Sequence, residues 1–480
     1  MSKTTLTDGD EGVRLIIKDR KEKRVEPAGR IPVHVVYGGA DRFSIDTLRK
    51  FGQIALDSIR KYAPNFAVFA HVFELPGSEH LPTFPKAVKE LEATIKADPN
   101  KVKRKDKAAW FAWTVHQKTI EKLRREPVED FRIDFEDGYG FRSEEEEDGH
   151  AVAAATELAN AFKKRRITGF LGFRIKSLEP ETYGRAIKTL DLFFATLLDQ
   201  TAGKLPSDFV VTLPKVTDSK QVKDLVRRLS KIEKDRKLPK ESIGIELMIE
   251  TPDAILDKRG RIAIPGLIKA ARGRCHSVHF GAYDYTAALG ISASFQDIRH
   301  PACGFARSVI QAACAGLRVR VVDSVTTLMP VPVYKDETLT EAQRTENLRS
   351  VHAGWLKHFR NVSDSMAGGF NQSWDLHPNQ LVARYAAVYA FFLTEMDAQS
   401  VRLKRFLGKA TQATLTGNTF DDAASAQGIL NFFRNGLDCG AFSEDEVKKA
   451  TGIGSEQLAM SFAEIAGGLK NRKSRAATRL

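Results

Sequence analysis

Ionisable side chains recur at one place in the sequence pattern, just where an apolar run stops. Asp134, Glu136 and Asp137 close FRIDFEDG, Arg174 closes FLGFRIK, and Lys215 follows VVTLP. Glu250 follows IELMI, Asp284 follows HFGAY, Asp323 ends RVVD and His377 ends WDLH. One charged residue opening a loop is commonplace. Repetition at successive runs, with several carboxylates, one arginine and one lysine, is the inventory of a hard-cation site that handles an anionic ligand. Oxygen donors from Glu250 and Asp284 suit Mg²⁺ or Mn²⁺, which keep coordination positions open for water and substrate oxygens. Soft-metal chemistry lacks its ligands: Cys275, Cys303, Cys314 and Cys439 form no C-x-x-C pair. His276 and His279 would face opposite sides of a strand, as wall or core residues. There is no G-x-S-x-G elbow, Walker loop or well-placed G-x-G-x-x-G, and GGADRF at 38–43 is too short a glycine signal for a dinucleotide.

The elements that must position these groups follow from periodicity. Strands are expected at 31–37, 131–135, 170–175, 208–213, 243–249, 277–281, 319–323 and, weakest, 373–377, mostly as near-continuous apolar runs of the kind buried on both faces. Helical patterns lie between them at 43–62, 144–165, 180–200, 218–235, 263–273, 301–316 and 340–366. Eight alternating units predict an α/β chain folded as a (β/α)₈ TIM barrel, whose strand C-termini converge on one face. Roughly ninety residues separate the first two strands, far beyond an ordinary βα loop, so an insertion is expected at about 64–128, with helical stretches at 86–97 and 104–125. Residues 1–30 read as an N-terminal extension, 31–395 as the barrel domain, and 396–480 as a helical C-terminal module. Ser143 and Glu146 predict a capping box opening the helix after the second strand.

Length and composition agree with this reading. The chain has 480 residues, 42% of them hydrophobic, which is enough for a large core and too much for a disordered protein. No apolar run reaches the roughly 18 residues of a spanning helix, and the opening has no signal-peptide core, so a cytoplasmic protein without membrane partners is expected. The net charge of +13 favours anionic partners in general. Its densest groups, at 18–24, 101–107 and 470–479, carry no aromatic ladder and read as solvated faces or frayed termini rather than a nucleic-acid site.

Read in order, the motifs resemble the HpcH/HpaI aldolase, citrate lyase beta-subunit and malyl-CoA lyase family of the phosphoenolpyruvate/pyruvate barrel superfamily. IDFEDG is similar to its D-L-E-D segment, FRIKS to R-V-N-P, and TLPKV to its strand-four lysine segment. MIETPDAI is similar to the I-E-T metal glutamate segment, FGAYDYTAALG to the G-x-x-D-L metal aspartate, and WDLHPNQL to the late I-H-P-x-Q. The likeness spans about 31–385. It departs at Lys176, where asparagine is usual, and in a longer Glu250-to-Asp284 spacing with DKRGRIAIPG as the extra loop.

The resemblance implies a Mg²⁺-dependent carbon–carbon lyase or aldolase acting through an enolate on a hydroxy acid or its coenzyme A thioester, giving glyoxylate, pyruvate or oxaloacetate. Glu250 and Asp284 would hold the metal, and Arg174 would stabilise the enolate oxygen. Glu136 and Asp137 would support the metal's waters or Arg174, and Lys215 would add charge or pair with them. The C-terminal module resembles the cap of malate synthases, which makes Asp438 the analogue of their catalytic aspartate. A homo-oligomer is expected. Two alternatives stay open: condensation in the malate synthase direction or other pyruvate or phosphoenolpyruvate chemistry, and a non-catalytic barrel scaffold binding anionic partners.

Overall fold

The computed structural model describes residues 30–166, 169–412 and 423–465. Eight parallel strands close into a barrel in chain order: β1 (His34–Gly39), β2 (Asp130–Asp134), β3 (Phe170–Arg174), β4 (Val210–Leu213), β5 (Gly244–Ile249), β6 (Cys275–Phe280), β7 (Arg320–Asp323) and β8 (Gln372–Asp375). Closure is direct, with His34 of β1 in register with Ser373 of β8. Each expected strand is present within a few residues. The expected helices between strands are present as well, and Ser143 and Glu146 form their capping box.

Strand alternation separates two environments. Phe131, Ile133, Leu171, Phe173, Val211, Ile245 and Leu247 point outward and pack beneath the helices in one continuous apolar shell. The inward positions are largely ionic instead. Buried Arg132 grips Glu246 through two N–H donors at 2.6 and 2.7 Å, and also pairs with Asp130. Thr212 and Ser277 donate to Glu246 at 2.8 and 2.5 Å. These partners satisfy charges that would otherwise be very costly inside a barrel. Above this layer sits a small apolar floor of Val35, Tyr37, Met248, Val322, Val325 and Trp374.

The long β1–β2 connection holds the helices Phe66–Val72, Pro85–Ala97, Pro99–Lys105 and Lys107–Arg125. The pattern expected as one helix over 104–125 is split at Asp106, whose carboxylate caps the N–H of Ala109, while Asp98 caps the preceding short helix before Pro99. The boundary expected at 396 falls inside a single helix, Gln380–Gln412, that runs from the barrel into the C-terminal segment. There Phe391 and Phe392 pack against Phe432, and Phe392 also meets Phe442, so the segment shares a core with the last barrel helix. The basic groups at 18–24 and 470–479 lie outside the described residues. Among the described residues, no helix is long and apolar enough to cross a membrane.

Candidate active site

The strand C-termini open into a cavity of about 640 Å³, within the range typical of small-molecule sites. Its lining includes Asp134, Asp137, Arg174, Glu250, Asp284 and His377. Arg174, at the end of β3, donates through Nε and Nη2 to the two oxygens of Asp134, both at 2.6 Å, and Nη1 lies 3.0 Å from Glu136. Its guanidinium carbon stands 4.8 Å from the centre of the Tyr37 ring. Burial alone would lower its pKa, but the Asp134 carboxylate overrides that and holds the guanidinium firmly charged.

Asp134 is fixed in turn by the N–H groups of Glu136 at 3.0 Å and Gly138 at 2.8 Å. Lys215 ion-pairs with Glu136, donates to Asp137 at 3.2 Å and comes within 4.0 Å of Asp284. Its backbone takes φ of 49°, a conformation disfavoured for side chains other than glycine, and from there its N–H donates to Glu250 Oε1 at 2.7 Å.

Glu250 is the least satisfied group of the cluster. Its side chain is buried, and Oε2 has no hydrogen-bond partner. Burial pushes its pKa up to about 8, and the nearby Asp284 carboxylate pushes in the same direction. Gly281 makes this packing possible, since a Cβ there would fall 2.5 Å from Glu250 Oε2. Five carboxylates, from Asp134, Glu136, Asp137, Glu250 and Asp284, share this rim with two cations, Arg174 and Lys215. A surplus of hard oxygen donors around an orphaned carboxylate oxygen fits a divalent cation. Among the described residues, no three His, Cys, Asp or Glu side chains are grouped to hold a metal unaided. Such an ion would therefore rest on two carboxylates and draw its remaining oxygens from water and substrate.

Two expected site residues are elsewhere. Asp438 accepts a hydrogen bond from the backbone N–H of Ile31 at 3.3 Å, beside the entry to β1, so it lies at the opposite end of the barrel from the cavity. Here the expectation drawn from malate synthases is corrected: helix Ala423–Asp438 packs on helix Gln380–Gln412 and holds the Asp438 carboxylate beside the strand entry, away from the mouth. Asp323 faces outward, paired with Arg307 at 2.7 Å and Ser365 at 2.6 Å. Lys176 turns away to the Phe135 carbonyl at 2.8 Å.

Sequence reasoning passed over the aromatic floor. Tyr37 stacks on Trp374 at 4.6 Å and meets His279 Nδ1 at 2.9 Å, and His279 in turn reaches Glu246 at 3.2 Å. The Trp374 indole N–H has no partner. Period-2 inward placement was the available signal for both rings.

A family model described as "Domain of unknown function (DUF6986)" matches residues 20–465. The chain belongs to the DUF6986 family. Among curated proteins, none matches this DUF6986 chain significantly. Solved structures with the same kind of barrel include a citrate lyase from Burkholderia xenovorans LB400, 18% identical, covering 70% of this chain and 92% of that one with a TM-score of 0.48. Malate synthase of Haloferax volcanii, as a magnesium/glyoxylate complex, is 16% identical over 54% of this chain and 65% of that one, with a TM-score of 0.37. The citrate lyase beta subunit of M. tuberculosis, complexed with oxaloacetate and magnesium, is 17% identical over 57% and 93%, with a TM-score of 0.33. At these identities the likeness concerns the barrel alone. The family of this chain is DUF6986.

Proposed function

We propose that this DUF6986 chain is a Mg²⁺-dependent carbon–carbon lyase or aldolase that cleaves a hydroxy acid next to a 2-oxo acid unit. The observation that carries the reading is the buried, unpartnered Oε2 of Glu250, set among excess carboxylates on the same rim as a clamped arginine. Glu250 and Asp284 would hold the ion, which when bound supplies a Lewis acid for substrate oxygens.

The chain's own groups do the rest. Arg174 is held in one plane by both oxygens of Asp134 and by the Tyr37 ring, so its remaining Nη2 N–H is oriented before substrate arrives. A guanidinium that stays charged and is already aligned stabilises negative charge growing on an enolate oxygen without reorganisation. Lys215 balances Glu136 and Asp137, which keeps Glu136 from repelling an anionic substrate. Arg174 and Glu250 are buried beneath the cavity, which strengthens these interactions.

The test is a screen of hydroxy acids and their coenzyme A thioesters for Mg²⁺-dependent release of pyruvate, glyoxylate or oxaloacetate, run with and without acetyl-CoA. Cleavage abolished by chelation and restored by Mg²⁺ is expected. Turnover only in the presence of acetyl-CoA would favour condensation instead, and no turnover of any 2-oxo or hydroxy acid would overturn the reading.

A further inference from the structure

We propose that a second cavity, among the helices outside the barrel, binds a small organic ammonium ion: a quaternary ammonium or a protonated alkylamine. The proposal is independent of the lyase reading, because this cavity shares no lining residue with the one at the strand ends. It holds about 450 Å³, within the range of small-molecule sites. Its walls come from the turn after helix Phe66–Val72, from helices Glu341–Ala367 and Gln380–Gln412, and from helix Ala423–Asp438.

Residue spacing makes it a gap between helix faces. Phe359, Ser363, Met366 and Ala367 recur at i, i+4, i+7 and i+8 on one helix, and Phe391, Thr394 and Glu395 at i, i+3 and i+4 on the next. Small side chains at Ser363, Ala367 and Ala390 do not fill the space between them, so the larger ones border an open cavity.

Two features select the ligand. The first is aromatic. Phe359, Phe391 and Phe432 all line the cavity and are only half-buried. Phe391 and Phe432 have ring centres 6.3 Å apart at an angle of 52°, so a cation resting against both lies within the roughly 6 Å over which an electron-rich ring face attracts charge. Phe359 is braced by stacking on buried Phe73 at 5.2 Å, and the polarisable thioether of Met366 extends the same wall.

The second feature is the sign of the charge. In a chain of net charge +13, this cavity is lined by two carboxylates, Glu74 and Glu395, and among the described residues by no lysine, arginine or histidine. Glu74 is offset by Arg360 at 2.5 Å. Glu395 accepts from the neutral Gln399 amide at 3.3 Å and forms no ion pair among the described residues. An anion would be repelled here, and a neutral apolar ligand would cover Glu395 without compensating its charge. A hard metal ion would find too few oxygens among the rings. An ammonium carrying alkyl groups complements the carboxylate and the ring faces together. Four separate elements wall the cavity, whereas a docked helix would lie along two, so the occupant is a compact free molecule.

The test uses the full chain with choline as the probe and 3,3-dimethylbutanol as its neutral isostere, each titrated by saturation-transfer NMR. Choline should bind saturably and about tenfold or more tightly than the alcohol, the scale of desolvated cation–ring attraction. Glu395→Gln removes the charge and Phe391→Leu the ring face while apolar volume remains. Each should weaken choline about tenfold and change the alcohol far less, with a native circular dichroism spectrum. Equal affinity for the two probes would overturn the proposal. Choline binding untouched by both variants would place it elsewhere, at the carboxylate-rich rim, and overturn it as well. So would choline affinity that falls as protein concentration rises, the mark of a second copy seated on the cavity.

Discussion

Glu250 carries the charge imbalance of the site most acutely. One oxygen accepts from the Lys215 N–H, the other has no partner, and burial followed by Asp284 raises its pKa to about 8. At neutral pH the metal-free protein then favours the protonated carboxyl. A cation can use the carboxylate only by expelling that proton. Mg²⁺ affinity should therefore climb as pH rises toward about 8 and level off above it. Calorimetric titration at pH 7 in two buffers of different ionisation enthalpy should show protons released as the ion binds, and Glu250→Gln should show none with much weaker binding; equal heats in both buffers would contradict this. Linkage to folding has the matching sign. With a folded pKa above the unfolded one, this carboxyl stabilises the metal-free fold below the ordinary carboxylate range, and that contribution is lost as pH rises through about 8. Arg174 makes a second prediction. Lysine cannot span both Asp134 oxygens with a two-pronged fork, so Arg174→Lys should lower kcat on the order of a hundredfold while KM changes far less. A wild-type kcat would remove Arg174 from the mechanism.

At the scale of elements, the site depends on how strand ends approach one another. Gly281 closes β6 directly over Glu250, and its φ of −104° suits any residue, so only space forbids a side chain. Gly281→Ala should thus displace Glu250 and weaken Mg²⁺ binding about tenfold or more while circular dichroism stays native; unaltered binding would show that the carboxylate does not need this seat. The strands were legible in sequence because their outward faces are apolar, as in Phe131 and Ile133 of β2. The inward residues of the same runs were not. Arg132 and Glu246 sit inside runs expected as apolar strands, and their partnership joins β2 to β5 and leaves no local trace. The conformation of Lys215 was equally silent, because a positive φ at a lysine follows from what its N–H must reach.

For the whole molecule, the barrel separates two faces that the sequence could not assign to the C-terminal segment. Asp438 resembled a catalytic aspartate by its place in the chain, yet helix Gln380–Gln412 carries the following helices to the strand entries, where Asp438 meets Ile31. Asp438→Asn should keep kcat/KM within about twofold, the behaviour of a residue remote from the chemistry; a hundredfold loss in steady-state assay would show that the segment reaches the mouth after all. An enolate formed at the barrel rim with the help of a divalent cation would exchange the methyl protons of pyruvate with solvent, which NMR in D₂O follows with the intact protein. Mg²⁺-dependent exchange of those protons is expected, abolished by Glu250→Gln and slowed by Arg174→Lys. Exchange that is absent with Mg²⁺ present, or undiminished in Glu250→Gln, would contradict enolate formation at that rim.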